Sequence, residues 1–206
     1  MDLLAPAWDY LRAGGPVMAP LVVVSLWLWA LILRKGLWLM AVRREGFDLA
    51  LALDSLAGQG QPPSGHSPRA AALVLFRAWR VGSQARDLRL WEAAVRHQIP
   101  LIWRHLAVIT VLAAVAPLLG LLGTVTGMIE TFNVIQLYGT GNAQGLASGI
   151  SEALITTQTG LLVAIPGLFA AHVLRRQAGK VQSELYLFQS GVERWIKESE
   201  ARRCYV

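Results

Sequence analysis

The chain has 206 residues, of which 54% are hydrophobic and 16% are charged, which is more apolar than a water-soluble domain of this length. This composition predicts a membrane protein and argues against a soluble enzyme, a disordered chain and a disulfide-stapled secreted domain, the last because Cys204 is the only cysteine. A net charge of +6 is compatible with binding of nucleic acid, and also with basic residues that orient membrane segments. The positions of the charges decide between these two interpretations.

Three stretches lack Asp, Glu, Lys and Arg for long enough to cross a bilayer core, which takes about 17–25 helical residues. They are residues 17–33, 106–129 and 153–174. The first stretch follows the turn-like Gly14-Gly15-Pro16 and stops at Arg34. Because no basic segment precedes it and it has no small-x-small cleavage site, we predict a retained helix and not a cleaved signal peptide.

Lysine and arginine are unevenly distributed around these spans. One lies before the first span, eleven lie between the first and the second, none lies within residues 130–152, and seven follow the third span. The positive-inside rule then places residues 34–105 and 175–206 in the cytoplasm, and residues 1–16 and 130–152 outside. We expect residues 130–152 to form a short turn and the start of the third helix. Since topology accounts for the charge and no recognition motif accompanies it, we expect no binding of nucleic acid.

The predicted cytoplasmic segments have helical patterns. A Gly/Pro/Ser-rich stretch, residues 58–68, is predicted to be a loop between helices. Beyond it, and again in the tail, apolar residues recur at helical spacing, which predicts amphipathic helices packed on partners. They are Leu73, Phe76, Trp79, Leu88, Trp91 and Val95, and in the tail Val181, Leu185, Phe188, Val192 and Trp195. We predict a kink at Pro100 and long helices that extend the second and third spans into the cytoplasm.

The histidines show no metal-ligand spacing to cysteine or carboxylate residues. His66, His97 and His105 are scattered through the predicted cytoplasmic loop, so we predict no metal site and no cofactor. His172 lies near the cytoplasmic end of the third span, where an imidazole can snorkel to the interface; a proton-relay role is the alternative.

The second and third spans are rich in small and hydroxyl residues, unlike the first. Two pairs of glycines stand four residues apart, a spacing that lets helices in lipid approach closely. The pairs are Gly123 with Gly127 and Gly145 with Gly149. We therefore expect both spans to pack on neighbouring helices. Pro117 and Pro166 remove backbone hydrogen bonds and are expected to kink their helices.

Glu152 is the carboxylate of greatest interest. We expect the third helix to begin near Gly145, after the turn-like residues 138–142, which places Glu152 about two turns inside it. At 100° per residue, Thr156 and Thr159 lie within about 40° of Glu152, so the helix carries a polar stripe. A carboxylate inside the membrane is costly unless it is paired, protonated or wetted by a pore. The alternative is an interfacial glutamate that faces external water.

Two segments resemble the MotA/TolQ/ExbB proton-channel family, and the ExbB type most closely. They read APLLGLLGTVTGMIETF (116–132) and GISEALITTQTGLLVAIPG (149–167), in the family's order and spacing. The resemblance implies a motor subunit of a Gram-negative inner membrane that is not an enzyme. Five ExbB-like copies would surround the membrane helices of an ExbD-like dimer, and proton flow would energise a TonB-like protein for outer-membrane import.

The resemblance also implies the site residues. In the family, a glutamate at the position of Glu152 and threonines at the positions of Thr124 and Thr157 face the central pore. An ideal helix places Thr157 about 140° from Glu152, so these two cannot share a narrow face, whereas Thr156 can; we keep Thr156 as a further candidate. Few other ionisable groups lie in the spans, so the proton carrier is expected to be an Asp on the single span of the ExbD-like partner.

Other interpretations remain open. A TolQ-like subunit would use the same machine for envelope maintenance, whereas a MotA-like stator is disfavoured because it would have four spans. Threonines in a span often bond only their own helix backbone. A membrane scaffold without ion flux is favoured if Glu152 faces external water and the subunits enclose no partner helix. A membrane enzyme is disfavoured, because the predicted cytoplasmic segments hold no nucleophile–base pair, metal cluster or phosphate loop.

Overall fold

The computed structural model describes residues 4–45, 49–56 and 67–203, and the regular elements in these ranges are all helical. The helices are α1 (Leu4–Ala13), α2 (Met18–Arg44), α3 (Leu49–Leu56), α4 (Pro68–Trp79), α5 (Gln84–Trp103), α6 (Leu106–Tyr138) and α7 (Ala143–Arg203). A short 3₁₀ turn, Gly139–Gly141, joins α6 to α7. The prediction of an all-helical protein is confirmed for this part of the chain.

Three helical stretches of the described chain are long and apolar enough to cross a membrane, as the sequence predicted. They are Met18–Arg44, Gln84–Gly141 and Ala143–Ser199. The third belongs to α7, a helix of 61 residues that contains both the predicted span and the predicted amphipathic tail. The apolar periodicity of the tail therefore continues the span in one helix, as expected.

The second stretch differs from the expected continuous helix. It is interrupted between α5 and α6, where His105 adopts a left-handed backbone conformation with φ of 69°. This conformation is uncommon for a residue with a Cβ atom and ends the hydrogen-bond ladder of α5. Pro100 lies inside α5, so the interruption falls at His105 and not at the proline. The Lys35 ammonium lies 3.3 Å from the Leu101 carbonyl oxygen, which places a cation at the C-terminal end of α5.

The connection between α6 and α7 is shorter than the sequence suggested. α6 continues past Ile129, the predicted end of the second span, to Tyr138. α7 begins at Ala143, two residues before the expected start near Gly145. Its first turn is capped by Asn142, whose side-chain oxygen accepts a hydrogen bond from the Gly145 amide at 3.1 Å.

The chain divides into two compact units, residues 1–34 with 105–172 and residues 35–104 with 173–206. In the first unit, α2 packs on both α6 and α7: a Cβ atom placed on Gly167 would lie 2.8 Å from a methyl carbon of Leu28 and 3.2 Å from Ala113. This unit contains the predicted site residues.

The second unit is organised around aromatic side chains of α4, α5 and α7. The Trp91 ring stands edge-on to Phe76 and Phe188, with centroid distances of 5.4 and 6.0 Å. The tail residues predicted to face a partner are buried here, except Trp195, which is half-buried. Trp79 departs from the prediction, because it is the last residue of α4 and its side chain is 42% exposed.

The turn between α4 and α5 depends on a buried carboxylate that the sequence analysis missed. Asp87 accepts hydrogen bonds from the amides of Val81 at 3.0 Å and Gly82 at 3.2 Å. Its other near neighbour is the Arg80 guanidinium, at 3.6 Å. The available signal was an acidic residue in the first turn of a helix, where the free amides attract negative charge.

The predicted loop 58–68 lies mostly outside the described residues, as do His66 and Cys204. Its last two residues lie at the N-terminus of α4 and not in a loop. Ser67 caps the helix by accepting a hydrogen bond from the Ala70 amide at 3.3 Å, and Pro68 is the first helical residue. Proline is tolerated there because the first helical amides have no partner within the helix.

Candidate functional site

Helices α6 and α7 approach closely along a stripe of small residues, which we call the α6–α7 seam: Gly120, Gly123 and Gly127 of α6, and Gly149, Ala153, Thr156 and Gly160 of α7. A Cβ atom placed on Gly160 would lie 2.8 Å from the Ala116 carbonyl oxygen, and one placed on Gly127 would lie 2.8 Å from the Gly149 carbonyl oxygen. Such distances leave no room for side chains, so the glycines allow backbone-to-backbone contact. The small residues of α6 and α7 thus pack these two helices of the same chain against each other.

Two adjacent threonines of α7 contact the seam differently. Thr156 is fully buried, and a Cβ atom on Gly123 would overlap its side chain. Its hydroxyl lies 3.1 Å from the Glu152 carbonyl oxygen and 3.0 Å from that of Ala153, so it bonds its own helix. The Thr157 hydroxyl lies 3.2 Å from the Gly120 carbonyl oxygen of α6 and 3.1 Å from the Ala153 carbonyl oxygen of its own helix. Its single proton is shared between these two acceptors, so Thr157 contacts α6 through a hydroxyl that also bonds α7.

Thr124 makes the local hydrogen bond that threonines in helices often make. Its hydroxyl donates to the Leu121 carbonyl oxygen of the same helix at 2.7 Å. Thr124 lies one helical turn beyond Gly120, the residue that Thr157 contacts. The two threonines named by the resemblance thus lie near one another along α6, with no direct contact between their hydroxyls.

Glu152 lies against the turn that joins α1 to α2. Its side chain is half-buried, and a Cβ atom on Gly15 would overlap its carboxylate. Gly15 has φ of +66°, so this position favours glycine both for the backbone conformation and for the space that Glu152 occupies. A Cβ atom placed on the neighbouring Gly14 would lie 3.3 Å from a methyl carbon of Ile155, one turn further along α7. No local sequence pattern indicates this contact, apart from the turn-like glycines themselves.

The structure does not bring Glu152 and Thr157 onto one face of α7. Thr156 points into the seam, Glu152 lies about 40° to one side of it, and Thr157 lies about 100° to the other. The contacts agree with these angles, since Glu152 meets the Gly15 turn whereas Thr157 meets Gly120 of α6. Glu152 and Thr157, about 140° apart on an ideal helix, therefore have different neighbours in the structure.

The two prolines lie within helices that continue beyond them. Pro117 is inside α6 and Pro166 is inside α7. Neither can donate a hydrogen bond to the carbonyl four residues before it, namely those of Ala113 and Leu162. Each helix nevertheless extends for several further turns, because residues on both sides of the proline keep the helical ladder.

A further hydroxyl pair lies on the Glu152 side of α7. The Tyr10 hydroxyl of α1 is 3.1 Å from the Thr159 hydroxyl oxygen, and the Thr159 hydroxyl in turn lies 2.8 Å from the Ile155 carbonyl oxygen. Thr159 belongs to the predicted polar stripe, but Tyr10 was not among the candidate residues. Its contact joins residues 149 positions apart, which no local sequence pattern indicates.

Long apolar helices that carry a carboxylate and hydroxyl groups on their contact faces define a multi-pass helical membrane protein. Comparison with known proteins shows which family of membrane proteins this chain resembles. The sequence pattern of the MotA/TolQ/ExbB proton channel family matches residues 74–186. The chain is 34% identical over 188 residues to an ExbB-like biopolymer transport protein of Synechocystis sp., which covers 84% of this chain and 88% of that protein.

Two further relatives carry ExbB and TolQ names. Over 190 residues the chain is 25% identical to the biopolymer transport protein ExbB of Salmonella typhimurium, covering 82% of this chain and 75% of the relative. Over 97 residues it is 30% identical to the Tol-Pal system protein TolQ of Haemophilus influenzae, covering 47% and 42%. The chain belongs to the MotA/TolQ/ExbB proton channel family. It is therefore a subunit of a bacterial inner-membrane channel and not an enzyme, as predicted.

Proposed function

We propose that this chain is the ExbB-type subunit of a Gram-negative inner-membrane motor, which uses the proton motive force to energise a TonB-like protein for outer-membrane import. Glu152 carries the proposal: it lies well inside α7 and is the only charged side chain of that helix before His172 and Arg175. A carboxylate at such a position is costly unless it takes part in ion movement or is solvated. The ExbB names of the relatives support the ExbB role over others.

We propose the topology that the basic residues favour. Residues 17–33, 106–129 and 153–174 would cross the membrane, with 34–105 and 175–206 in the cytoplasm. The N-terminus and the short α6–α7 connection would then lie outside. The distribution of Lys and Arg supports this orientation, since none lies between residues 130 and 152.

The proposed assembly is a ring of about five copies around the single-span helices of an ExbD-like dimer. Glu152, Thr124, Thr157 and Thr156 would supply a polar lining, and an Asp on the partner would carry the proton. A transmembrane potential supplies about 2.3 kcal/mol per elementary charge per 100 mV, which is enough to drive a change of packing worth a few kcal/mol. Because Glu152 and Thr157 have different surroundings, we propose that they act at different points of the proton path.

The test is the substitution Glu152→Gln, with Glu130→Gln as its matched control, because Glu130 is exposed on α6. Each variant would be expressed in a strain that lacks its own ExbB-type subunit, and energised uptake would be measured together with the native mass of the complex. We expect Glu152→Gln to abolish uptake while the complex assembles, and Glu130→Gln to support it. Unchanged uptake with Glu152→Gln would show that the carboxylate has no essential role.

The same strains separate the remaining alternatives. A TolQ-like role is supported by the Haemophilus relative and predicts rescue of a strain that lacks TolQ, measured as restored resistance to detergent. A non-conducting scaffold predicts a complex with no proton flux in vesicles and no single-span partner after mild extraction. The ExbB role predicts co-purification of a single-span partner that bears a membrane Asp.

A further inference from the structure

The segment from Tyr10 to Gly15 lies along the Glu152 side of α7. Tyr10 meets Thr159, Gly14 meets Ile155, and Gly15 meets Glu152. The order of these contacts shows that the segment runs antiparallel to α7. It follows α7 over seven residues, or about 10 Å at 1.5 Å per residue. We call these six residues the N-terminal wall.

The hydroxyl pair at the deep end of this wall has a defined direction. The Thr159 hydroxyl donates to the Ile155 carbonyl oxygen at 2.8 Å, so its own oxygen is left to accept. The Tyr10 hydroxyl, 3.1 Å away, is therefore the donor to Thr159. Two hydroxyl groups are thus arranged in series about two turns beyond Glu152, on the same side of α7.

The exposure of Tyr10 is the second observation. Its side chain is 41% exposed, so the hydroxyl pair lies at the edge of the N-terminal wall and can meet a further polar group. Polar groups at membrane depth are costly and usually face a bundle interior or a water-filled path. Beyond Thr159, α7 offers only apolar residues until His172. Tyr10 therefore adds a polar group where α7 itself has few.

We propose that the N-terminal wall borders the ion path at Glu152, and that the Tyr10 hydroxyl is one of the groups that line it. The inference rests on the proposed function of Glu152 and extends that site by two helical turns. The Tyr10 hydroxyl holds water or hydrated protons beside Thr159, and the Gly14–Gly15 backbone closes the path beside the carboxylate. Tyr10 would thus line the path although it lies outside residues 116–132 and 149–167, the two segments that resemble the family.

The test is Tyr10→Phe, which removes the hydroxyl and leaves the ring. Tyr138→Phe is the matched control, because Tyr138 is 68% exposed at the end of α6. Proton flux would be measured in vesicles that contain the purified complex with its partner. We expect Tyr10→Phe to lower the flux about two- to tenfold, the range that corresponds to loss of one hydrogen bond, and Tyr138→Phe to leave it unchanged.

A cross-linking experiment distinguishes a Tyr10 hydroxyl that lines the ion path from one that only holds the N-terminal wall in place. A Cβ atom placed on Gly14 would lie 3.3 Å from Cγ2 of Ile155, a position that the sulfur of a cysteine can occupy. Gly14→Cys with Ile155→Cys, in a Cys204→Ser background, is therefore expected to form a disulfide within one chain. The disulfide should form equally well with Tyr10→Phe added. Reduced flux with an intact disulfide supports the inference.

Two results overturn the inference. Unchanged flux with Tyr10→Phe shows that the hydroxyl does not line the path. Reduced flux accompanied by loss of the disulfide shows that Tyr10 only holds the wall in place. Failure of the proposed function gives a different pattern, in which Glu152→Gln itself leaves the flux unchanged.

Discussion

Replacing Gly160 by alanine is expected to destabilise the protein, although alanine is the better helix former. The added Cβ atom would lie 2.8 Å from the Ala116 carbonyl oxygen and 3.2 Å from the Gly120 Cα atom. Both are backbone atoms, so relief requires α6 and α7 to separate, and overpacking of this kind costs about 1–3 kcal/mol. Alanine recovers about 0.5–1 kcal/mol of helix propensity. Mid-range values of the two terms give a net expected loss of about 1 kcal/mol.

The matched control is Gly179→Ala in the same helix. No atom of the described residues lies within 4 Å of a Cβ atom placed on Gly179. This substitution gains the propensity without the overlap, so it is expected to stabilise the protein by about 0.5–1 kcal/mol. The two substitutions are therefore expected to act in opposite directions.

The assay is thermal unfolding of the detergent-solubilised protein, followed by loss of the monodisperse peak in size-exclusion chromatography. At about 2–4 °C per kcal/mol for a chain of this size, Gly160→Ala should lower the midpoint and Gly179→Ala should raise it. Equal shifts for both variants would refute the reasoning, because they would mean that α6 and α7 are not in backbone contact at Gly160.

Two further predictions concern the second unit, and both are measured by denaturant unfolding followed through tryptophan fluorescence. Asp87→Ala should lower the free energy of unfolding by about 2–4 kcal/mol, because two amides lose their acceptor. Asp54 of α3 is exposed, so Asp54→Ala should change the free energy little, and similar effects of the two substitutions would disprove the capping role. Lys35→Met should cost about 1–2 kcal/mol, since the Leu101 carbonyl at the end of α5 loses its cation. The exposed Lys180→Met serves as its control, and an equal effect would count against the cap.

Much of the helical architecture could be predicted because burial follows local periodicity. Apolar stretches long enough for a bilayer correspond to α2, α6 and α7, and the tail residues Val181, Leu185 and Val192 are buried at the predicted helical spacing. Each of these features depends on neighbours within a few turns of the same helix. The angle between Glu152 and Thr157 could be predicted for the same reason, since it follows from helix geometry alone.

Features that depend on distant parts of the chain could not be predicted. The left-handed conformation of His105 has only a weak local signal, because histidine adopts positive φ far less readily than glycine does. The contact between Gly15 and Glu152 joins two segments separated by most of the chain, and so does the pair Tyr10 and Thr159. The sequence could identify Glu152 as a candidate, but it could not indicate what the carboxylate touches.

The seam also suggests an order in which the membrane hairpin forms. Within the seam, Gly127 with Gly149 is the contact nearest the α6–α7 connection, Gly123 with Thr156 comes next, and Gly120 with Gly160 is the most distant. The entropic cost of closing a loop rises with its length, but each step beyond the first adds only a short segment. We therefore expect the hairpin to close from its connection outward. Substitutions near the connection would delay the first step of biogenesis, whereas substitutions near Gly160 would affect its completion.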